Sequence, residues 1–150
     1  MNIITNNALE TIELGKKIGS FLKPSDVILL DGDLSAGKTT FTKGIGEALE
    51  IKRVINSPTF TIVKAYSGKY KLYHMDLYRL DGLGNDFDLY EYFESDGICI
   101  VEWPYQVSDL LPEDYLKITI KRIDETKREF SFIAKGSRYK ELLGEIECIH

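Results

Sequence analysis

The feature that most constrains the fold is the segment from Gly32 to Thr39, which follows the pattern G-x-x-x-x-G-K-[ST]. A short apolar run at residues 27–30 stands before it, as expected for a strand that is buried on both faces. After it, apolar residues recur at helical spacing, in Phe41, Ile45, Ala48 and Leu49. The order of buried strand, glycine loop and amphipathic helix predicts a loop that binds phosphate groups at a helix N-terminus.

Nine consecutive residues are therefore candidate ligands of a nucleotide: Gly32, Asp33, Leu34, Ser35, Ala36, Gly37, Lys38, Thr39 and Thr40. In such a loop the backbone N–H groups point at a phosphate, and the glycines allow close approach. The Lys38 ammonium reaches the β- and γ-phosphates, and the Thr39 hydroxyl takes one position on Mg²⁺. The alternative is a glycine-rich turn with a surface lysine, which leaves the flanking strand and helix unexplained.

Two carboxylates are placed to complete a magnesium site. Glu102 directly follows the apolar run at residues 98–101, and Asp76 follows the more mixed run at residues 70–75. Carboxylates that complete such sites lie at the carboxyl ends of neighbouring strands, and either one can orient the attacking water. Glu102 is the better candidate, because the run before it is uniformly apolar. For Asp76 the alternative is a strand-end carboxylate that forms a turn or pairs with Arg79.

Thr59, in the segment Ser57 to Phe60, is a candidate sensor of the γ-phosphate, because nucleotide switches place hydroxyl groups shortly after the loop helix. A Ser-Pro turn that opens a strand explains the same residues equally well. His74 and Trp103 receive no chemical role, since each is more often a packing residue.

The remaining pattern predicts an α/β fold of the P-loop NTPase-like type, in which helices flank a mixed, mostly parallel central sheet. We expect a single domain over residues 1–150. A first strand at Ile3 and Ile4 leads into a helix that Pro24 is expected to end. Six further elements are predicted: the two strands of a hairpin at 59–65 and 70–75, a strand at 98–101, a strand pair at 116–120 and 129–133, and a terminal helix at 139–147.

Charge and composition restrict the partners. The net charge of -5 argues against DNA and against strong non-specific nucleic-acid binding. Residues 76–114 carry eleven acids against one basic residue, and residues 115–140 carry eight basic residues against three acids, which indicates solvated faces or partner docking. No leader or membrane-spanning run is evident, and we interpret Cys99 and Cys148 as reduced thiols, so a cytoplasmic protein without membrane contact is expected.

Four ordered motifs, spanning about residues 8–122, resemble the TsaE family, also described as the YjeE type. They are the loop at 32–40, Ser57-Pro58-Thr59-Phe60, the segment from His74 to Leu80, and Val101-Glu102-Trp103-Pro104. The resemblance implies the ATPase component of bacterial tRNA threonylcarbamoyladenosine synthesis, with the partners TsaB and TsaD and with tRNA reached indirectly through the complex.

The same resemblance implies that ATP is held by Lys38 and the loop, and Mg²⁺ by Thr39 and Glu102. Asp76 and Thr59 then resemble catalytic or switch residues. The adenosine contacts are less defined, and we expect them near Ala8 and around Glu125.

The chain departs from the family pattern at two places. Ser35 stands where the family usually has glycine, and a positive φ there would cost about 1 kcal/mol or more. The segment from Asp81 to Asp86 is shorter than the usual helix start and unlike it. Two rival functions remain open at this point, a P-loop small-molecule kinase and a nucleotide-dependent scaffold that does not hydrolyse ATP.

Overall fold

The computed structural model describes residues 1–32, 36–55, 63–76, 90–102 and 111–149. Within these ranges the chain forms seven strands and four helices. In chain order they are β1 (Asn2–Thr5), α1 (Ala8–Gly19), β2 (Val27–Asp31), α2 (Lys38–Ala48), β3 (Val63–Ser67), β4 (Lys71–Asp76), α3 (Tyr90–Phe93), β5 (Ile98–Glu102), β6 (Tyr115–Arg122), β7 (Arg128–Lys135) and α4 (Ser137–Cys148).

The described strands form one mixed sheet in the order β1-β7-β6-β2-β5-β4-β3. The central strands β6, β2, β5 and β4 pair in parallel, whereas β3, β7 and β1 join by antiparallel pairs. Because β1 is antiparallel to β7 and β7 is antiparallel to β6, five of the seven strands run in one direction. The predicted α/β fold with a mixed, mostly parallel sheet is confirmed. The carboxyl ends of β2, β5 and β4 therefore meet at one edge.

The central strand β2 is buried on both faces, as its apolar run predicts. Ile28 and Leu30 pack in a large hydrophobic cluster with residues of α1, α2 and α4. The alternate residues Val27 and Leu29 pack in a second cluster that includes Phe93 of α3. Alternation along one strand thus divides the core into two layers.

Helix α1 begins at a side-chain cap and ends earlier than its apolar pattern suggests. The Asn7 side chain accepts a hydrogen bond from the Glu10 backbone N–H at 2.9 Å. The prediction that Pro24 ends this helix is wrong, because α1 ends at Gly19. Phe21 and Leu22 instead continue in a tighter turn, where their N–H groups donate to carbonyls three residues earlier.

The other predicted elements are found close to their expected bounds. The strand pair is β6 and β7, the terminal helix is α4, and the hairpin is β3 and β4, although residues 59–62 of its first half lie outside the described residues. Helix α3 was not predicted. Among the described helices, none is both long enough and apolar enough to cross a bilayer. Both cysteines are free, and burial raises the pKa of Cys99 to about 12.

Two glycines let α1 and α2 pack backbone against backbone. A Cβ atom on Gly15 would overlap the Phe41 carbonyl oxygen, and one on Gly44 would overlap the Ile12 carbonyl oxygen. The contact explains why α2 contains glycine in spite of its low helix propensity. It also fixes the depth at which α2 sits beside β2, and hence where the loop between them lies.

We predict that Gly44→Ala destabilises the protein by roughly 1–3 kcal/mol, because the added methyl group forces the two helices apart. The matched control is Gly144→Ala in α4, where a Cβ atom would meet nothing within 4 Å. That change should stabilise the protein by about 0.5–1 kcal/mol, since alanine favours a helix. Urea unfolding measures both, and equal effects of the two substitutions would contradict the close packing of α1 on α2.

A candidate phosphate-binding site at the strand ends

The chain leaves β2 through Gly32, which passes closely against β6. Its φ of +154° lies where side chains are rarely accommodated. A Cβ atom here would also lie 2.6 Å from the Ile120 carbonyl oxygen. The first glycine of the loop is therefore required by the backbone path and by the neighbouring strand.

The loop re-enters the described part of the chain at Ala36 and ends at Gly37, the N-cap of α2. Gly37 adopts a left-handed conformation, with φ of +100° and ψ of +21°. Since glycine has no side chain, it cannot cap the N–H groups of the first helical turn. That turn begins with Lys38, Thr39 and Thr40, of which Lys38 is buried and the threonines are half-buried. A helix start of this kind favours an anion.

Lys38, Glu102 and His74 form a buried polar cluster beside this helix start. The Lys38 Nζ atom lies 3.8 Å from Glu102 Oε1, and His74 Nε2 lies 2.5 Å from Glu102 Oε2. Their side chains are 4% or less exposed. A carboxylate removed from water this completely needs partners, and here a cation and a ring nitrogen supply them.

Only one nitrogen of the His74 ring, Nε2, has a hydrogen-bond partner among the described residues. Its Nδ1 atom is buried and has no hydrogen-bond partner among the described residues. The tautomer with its proton on Nε2 fits this environment, because it donates to Glu102 and leaves only an acceptor lone pair on Nδ1. His74 therefore orients the carboxylate so that its other oxygen faces Lys38.

Asp76 lies next to Glu102 because β4 and β5 pair in parallel register. Asp76 is opposite Glu102, and Glu102 is opposite Leu30 of β2. Asp76 is half-buried, whereas Glu102 is buried. Two carboxylates on neighbouring strands thus end at the same level as the strand that enters the loop.

A cavity of about 160 Å³ adjoins the helix start on the side away from Glu102 and β4. It is bounded by the start of α1, the start of α2 and the turn between β6 and β7, and it is lined by Ala8, Thr11, Gly37, Thr40, Glu125, Thr126 and Arg128. The two segments that we expected to contact adenosine, near Ala8 and around Glu125, are therefore brought together around one space.

A larger cavity of about 600 Å³ lies at the other end of β2, next to Asp26 and Arg138. Two of its charged groups, Asp26 and Arg138, already bind each other. The Arg138 guanidinium donates to both Asp26 carboxylate oxygens, at 3.0 and 2.8 Å, and this interaction raises the pKa of Arg138. We therefore place the phosphate site at the glycine loop and not in the larger cavity.

The chain is similar to known proteins over most of its length. The family profile described as threonylcarbamoyl adenosine biosynthesis protein TsaE matches residues 5–130. The chain belongs to the TsaE family. It is 49% identical to the tRNA threonylcarbamoyladenosine biosynthesis protein TsaE of Bacillus subtilis, with 95% of this chain and 90% of that protein covered. It is 38% identical to the tRNA threonylcarbamoyladenosine biosynthesis protein TsaE of Treponema pallidum, with 87% of this chain and 98% of that protein covered.

The fold of this TsaE-family chain is also similar to a solved structure. The crystal structure of Bacillus subtilis YdiB superposes with a TM-score of 0.89 at 43% identity, covering 99% of this chain and 95% of that one. The resemblance inferred from the four sequence motifs is confirmed by these matches.

The described part of this TsaE-family chain brings three predicted site residues, Lys38, Asp76 and Glu102, to one sheet edge, with Thr39 in the adjoining turn of α2. Four other predicted residues, Asp33, Leu34, Ser35 and Thr59, lie outside the described residues, as does Trp103. Their roles, and the effect of Ser35 on the loop, stay predictions.

Sequence reasoning missed the contact between His74 and Glu102. A usable signal existed, because His74 stands two residues before Asp76 and must share its face of the strand. Once β4 and β5 are known to be parallel neighbours, that face also carries Glu102.

We predict that His74→Leu lowers the free energy of unfolding by about 1–3 kcal/mol, because the buried Glu102 carboxylate loses a donor. His74→Gln should retain most of the stability, since its amide nitrogen reaches the position of Nε2. Urea unfolding of both variants, repeated in a Glu102→Gln background, measures the energetic coupling between the side chains at positions 74 and 102. Equal losses in both variants, with no coupling to Glu102, would contradict the orienting role.

Proposed function

We propose that this TsaE-family chain is a Mg²⁺-dependent ATPase that supports threonylcarbamoyladenosine modification of tRNA together with TsaB and TsaD. The observation that carries the proposal is the glycine-capped start of α2 beside the buried pair of Lys38 and Glu102. A helix N-terminus supplies fixed N–H dipoles, and Lys38 supplies a mobile positive charge. The proposed role places the protein in the cytoplasm.

The phosphates of ATP bind at the N–H groups of the loop and of the first turn of α2. Lys38 then exchanges its contact with Glu102 for contacts with the β- and γ-phosphates. The exchange keeps Lys38 paired with an anion in both states, so its burial is tolerated with and without nucleotide.

The residues around the loop fit Mg²⁺ because the Thr39 hydroxyl and the carboxylates at the strand ends offer hard oxygen atoms. We assign the Thr39 hydroxyl and the Glu102 carboxylate as its protein ligands. The described residues contain no cluster of three or more His, Cys, Asp or Glu side chains that could hold a metal, so the remaining ligands would be phosphate oxygens and water. When bound, the ion neutralises charge that develops on the transferred phosphoryl group.

Asp76 is placed to orient the attacking water, because it lies beside Glu102 at the open end of the strands. Its half-buried position leaves it accessible to water, whereas Glu102 is enclosed by Lys38 and His74. The catalytic set that we assign is Lys38, Asp76, Glu102 and Thr59, with Thr59 as the sensor of the γ-phosphate.

The cavity beside α1 suits the nucleoside portion of ATP. It adjoins Gly37 and Thr40, so a nucleotide whose phosphates lie at the loop can extend into it. Ala8 and Thr11 would line one side of the base, and the turn at Glu125 and Thr126 would line the other.

The partners complete the hydrolytic site. TsaB and TsaD complete or order the switch segment that contains Thr59, ATP is hydrolysed, and the tRNA-modifying complex is reset. The chemistry on tRNA belongs to the partner proteins, so this chain reaches tRNA only through the complex.

Phosphate release tests the proposal directly. The purified chain with Mg²⁺ and ATP should release phosphate slowly or not at all. Addition of TsaB and TsaD should raise turnover well above that of the chain alone and that of TsaB and TsaD without it. ATP binding with background turnover in both conditions would contradict the ATPase function. ADP formation that depends on an added hydroxyl compound, without free phosphate, would indicate a kinase.

Three variants define the site when ATP affinity is measured by calorimetry and turnover by phosphate release. Lys38→Ala should weaken ATP binding about 10- to 100-fold, the loss expected for one or two charge-assisted hydrogen bonds. Lys43→Ala, on the exposed face of the same helix, is the matched control and should leave binding unchanged. Glu102→Gln should retain ATP binding but lose most of the Mg²⁺-dependent turnover. Equal behaviour of Lys38→Ala and Lys43→Ala would remove Lys38 from the site.

A further inference from the structure

Arg128, at the start of β7, connects two segments that border the proposed nucleotide site, the glycine loop and the turn between β6 and β7. It is the first residue of β7 and is half-buried. Its Nε group donates a 3.0 Å hydrogen bond to the Ala36 carbonyl oxygen, which belongs to the glycine loop. Its Nη1 group donates to the carbonyl oxygens of Asp124 and Lys127, at 2.8 and 2.9 Å. One guanidinium therefore holds the loop and the turn between β6 and β7.

The bond to Ala36 sets the direction of the next N–H group. In a trans peptide the carbonyl and the following N–H point in opposite directions. Because Arg128 draws the Ala36 carbonyl toward β7, the Gly37 N–H is aimed away from β7. The left-handed backbone of Gly37, with φ of +100°, is one that residues with a side chain rarely adopt, whereas a Cβ atom added here would lie at an ordinary contact distance of 3.8 Å from Arg128 Nε.

The bonds to the turn fix the outer wall of the cavity. The Asp124 carboxylate already accepts from the Lys127 and Thr126 backbone N–H groups, at 2.7 and 2.9 Å, and these bonds lower the pKa of Asp124. Arg128 adds a link from this turn to the rest of the protein. Glu125 and Thr126, which line the cavity, are carried by the same turn.

We propose that Arg128 is a positioning residue that couples the phosphate loop to the nucleoside cavity, so that the site prefers a nucleoside triphosphate to inorganic triphosphate. The inference rests on the proposed function, because it assumes that phosphates bind at the loop and that the nucleoside occupies the cavity. A planar guanidinium with donors in a fixed fork can hold both segments at once. A lysine at this position carries all its donors on one nitrogen atom, so it does not reproduce the fixed spacing of Nε and Nη1 that holds both segments.

The experiment compares the affinities of the full chain for ATP and for inorganic tripolyphosphate, each with Mg²⁺, by calorimetry. For Arg128→Gln, the ratio of the two affinities should fall about tenfold from its wild-type value, as for the loss of one charge-assisted hydrogen bond. Arg128→Lys should not restore the ratio. Arg122→Gln is the matched control, because Arg122 is exposed and lies opposite Arg128 on β6, and it should leave the ratio unchanged.

Other outcomes overturn the inference. If both affinities fall equally in Arg128→Gln and Arg128→Lys restores them, Arg128 contributes only charge. If the melting temperature falls but the ratio is unchanged, its role is only structural. A wild-type protein that binds neither compound would instead refute the proposed function.

A measurement on the wild-type protein covers the case in which the variants do not fold. Tripolyphosphate should shift the backbone amide resonances of Thr126 as well as that of Gly37, because Arg128 links the two segments. A shift confined to Gly37 and its neighbours in α2 would contradict the coupling.

Discussion

The buried contact of Glu102 with Lys38 and His74 is the interaction on which the rest of the site depends. Removing a carboxylate and an ammonium from water is costly, and replacing such a pair by apolar residues is often neutral or stabilising. Stability alone therefore gives no reason for a charged cluster at the end of β5. The phosphate and magnesium site that we propose would give one, because it needs a cation and a carboxylate at the loop, and His74 orients that carboxylate.

The fold supplies the alignment that this contact requires. Parallel pairing of β2, β5 and β4 brings Leu30, Glu102 and Asp76 to the same level. The glycine contacts between α1 and α2 then set the position of α2, and Lys38 stands at its first turn. Small residues at the contact between α1 and α2 thus help to determine where the lysine ammonium lies. On the other side of the loop, Arg128 performs a similar task through the Ala36 carbonyl.

Local patterns were sufficient for much of the fold and for the main site residues. The apolar run of β2, the glycine loop and the helical spacing in α2 each span a few residues, so periodicity and turn chemistry identify them. The position of Glu102 and Asp76 at strand ends also followed from local sequence. The early end of α1 did not, because Phe21 and Leu22 pack against the core from the tighter turn after the helix, so their apolar pattern does not mark where the helix ends.

Contacts between distant segments required the sheet order. His74 and Glu102 are 28 residues apart, and Arg128 and Ala36 are 92 residues apart. No local pattern encodes that β5 lies between β2 and β4, or that the start of β7 reaches the loop. A crystal structure with Mg²⁺ and a non-hydrolysable ATP analogue would show directly whether Lys38 exchanges its contact with Glu102 for contacts with the nucleotide. Lys38 Nζ should then lie within about 3 Å of a phosphate oxygen, with Thr39 and Glu102 facing the ion. A nucleotide bound elsewhere, with Lys38 still 3.8 Å from Glu102, would contradict this exchange.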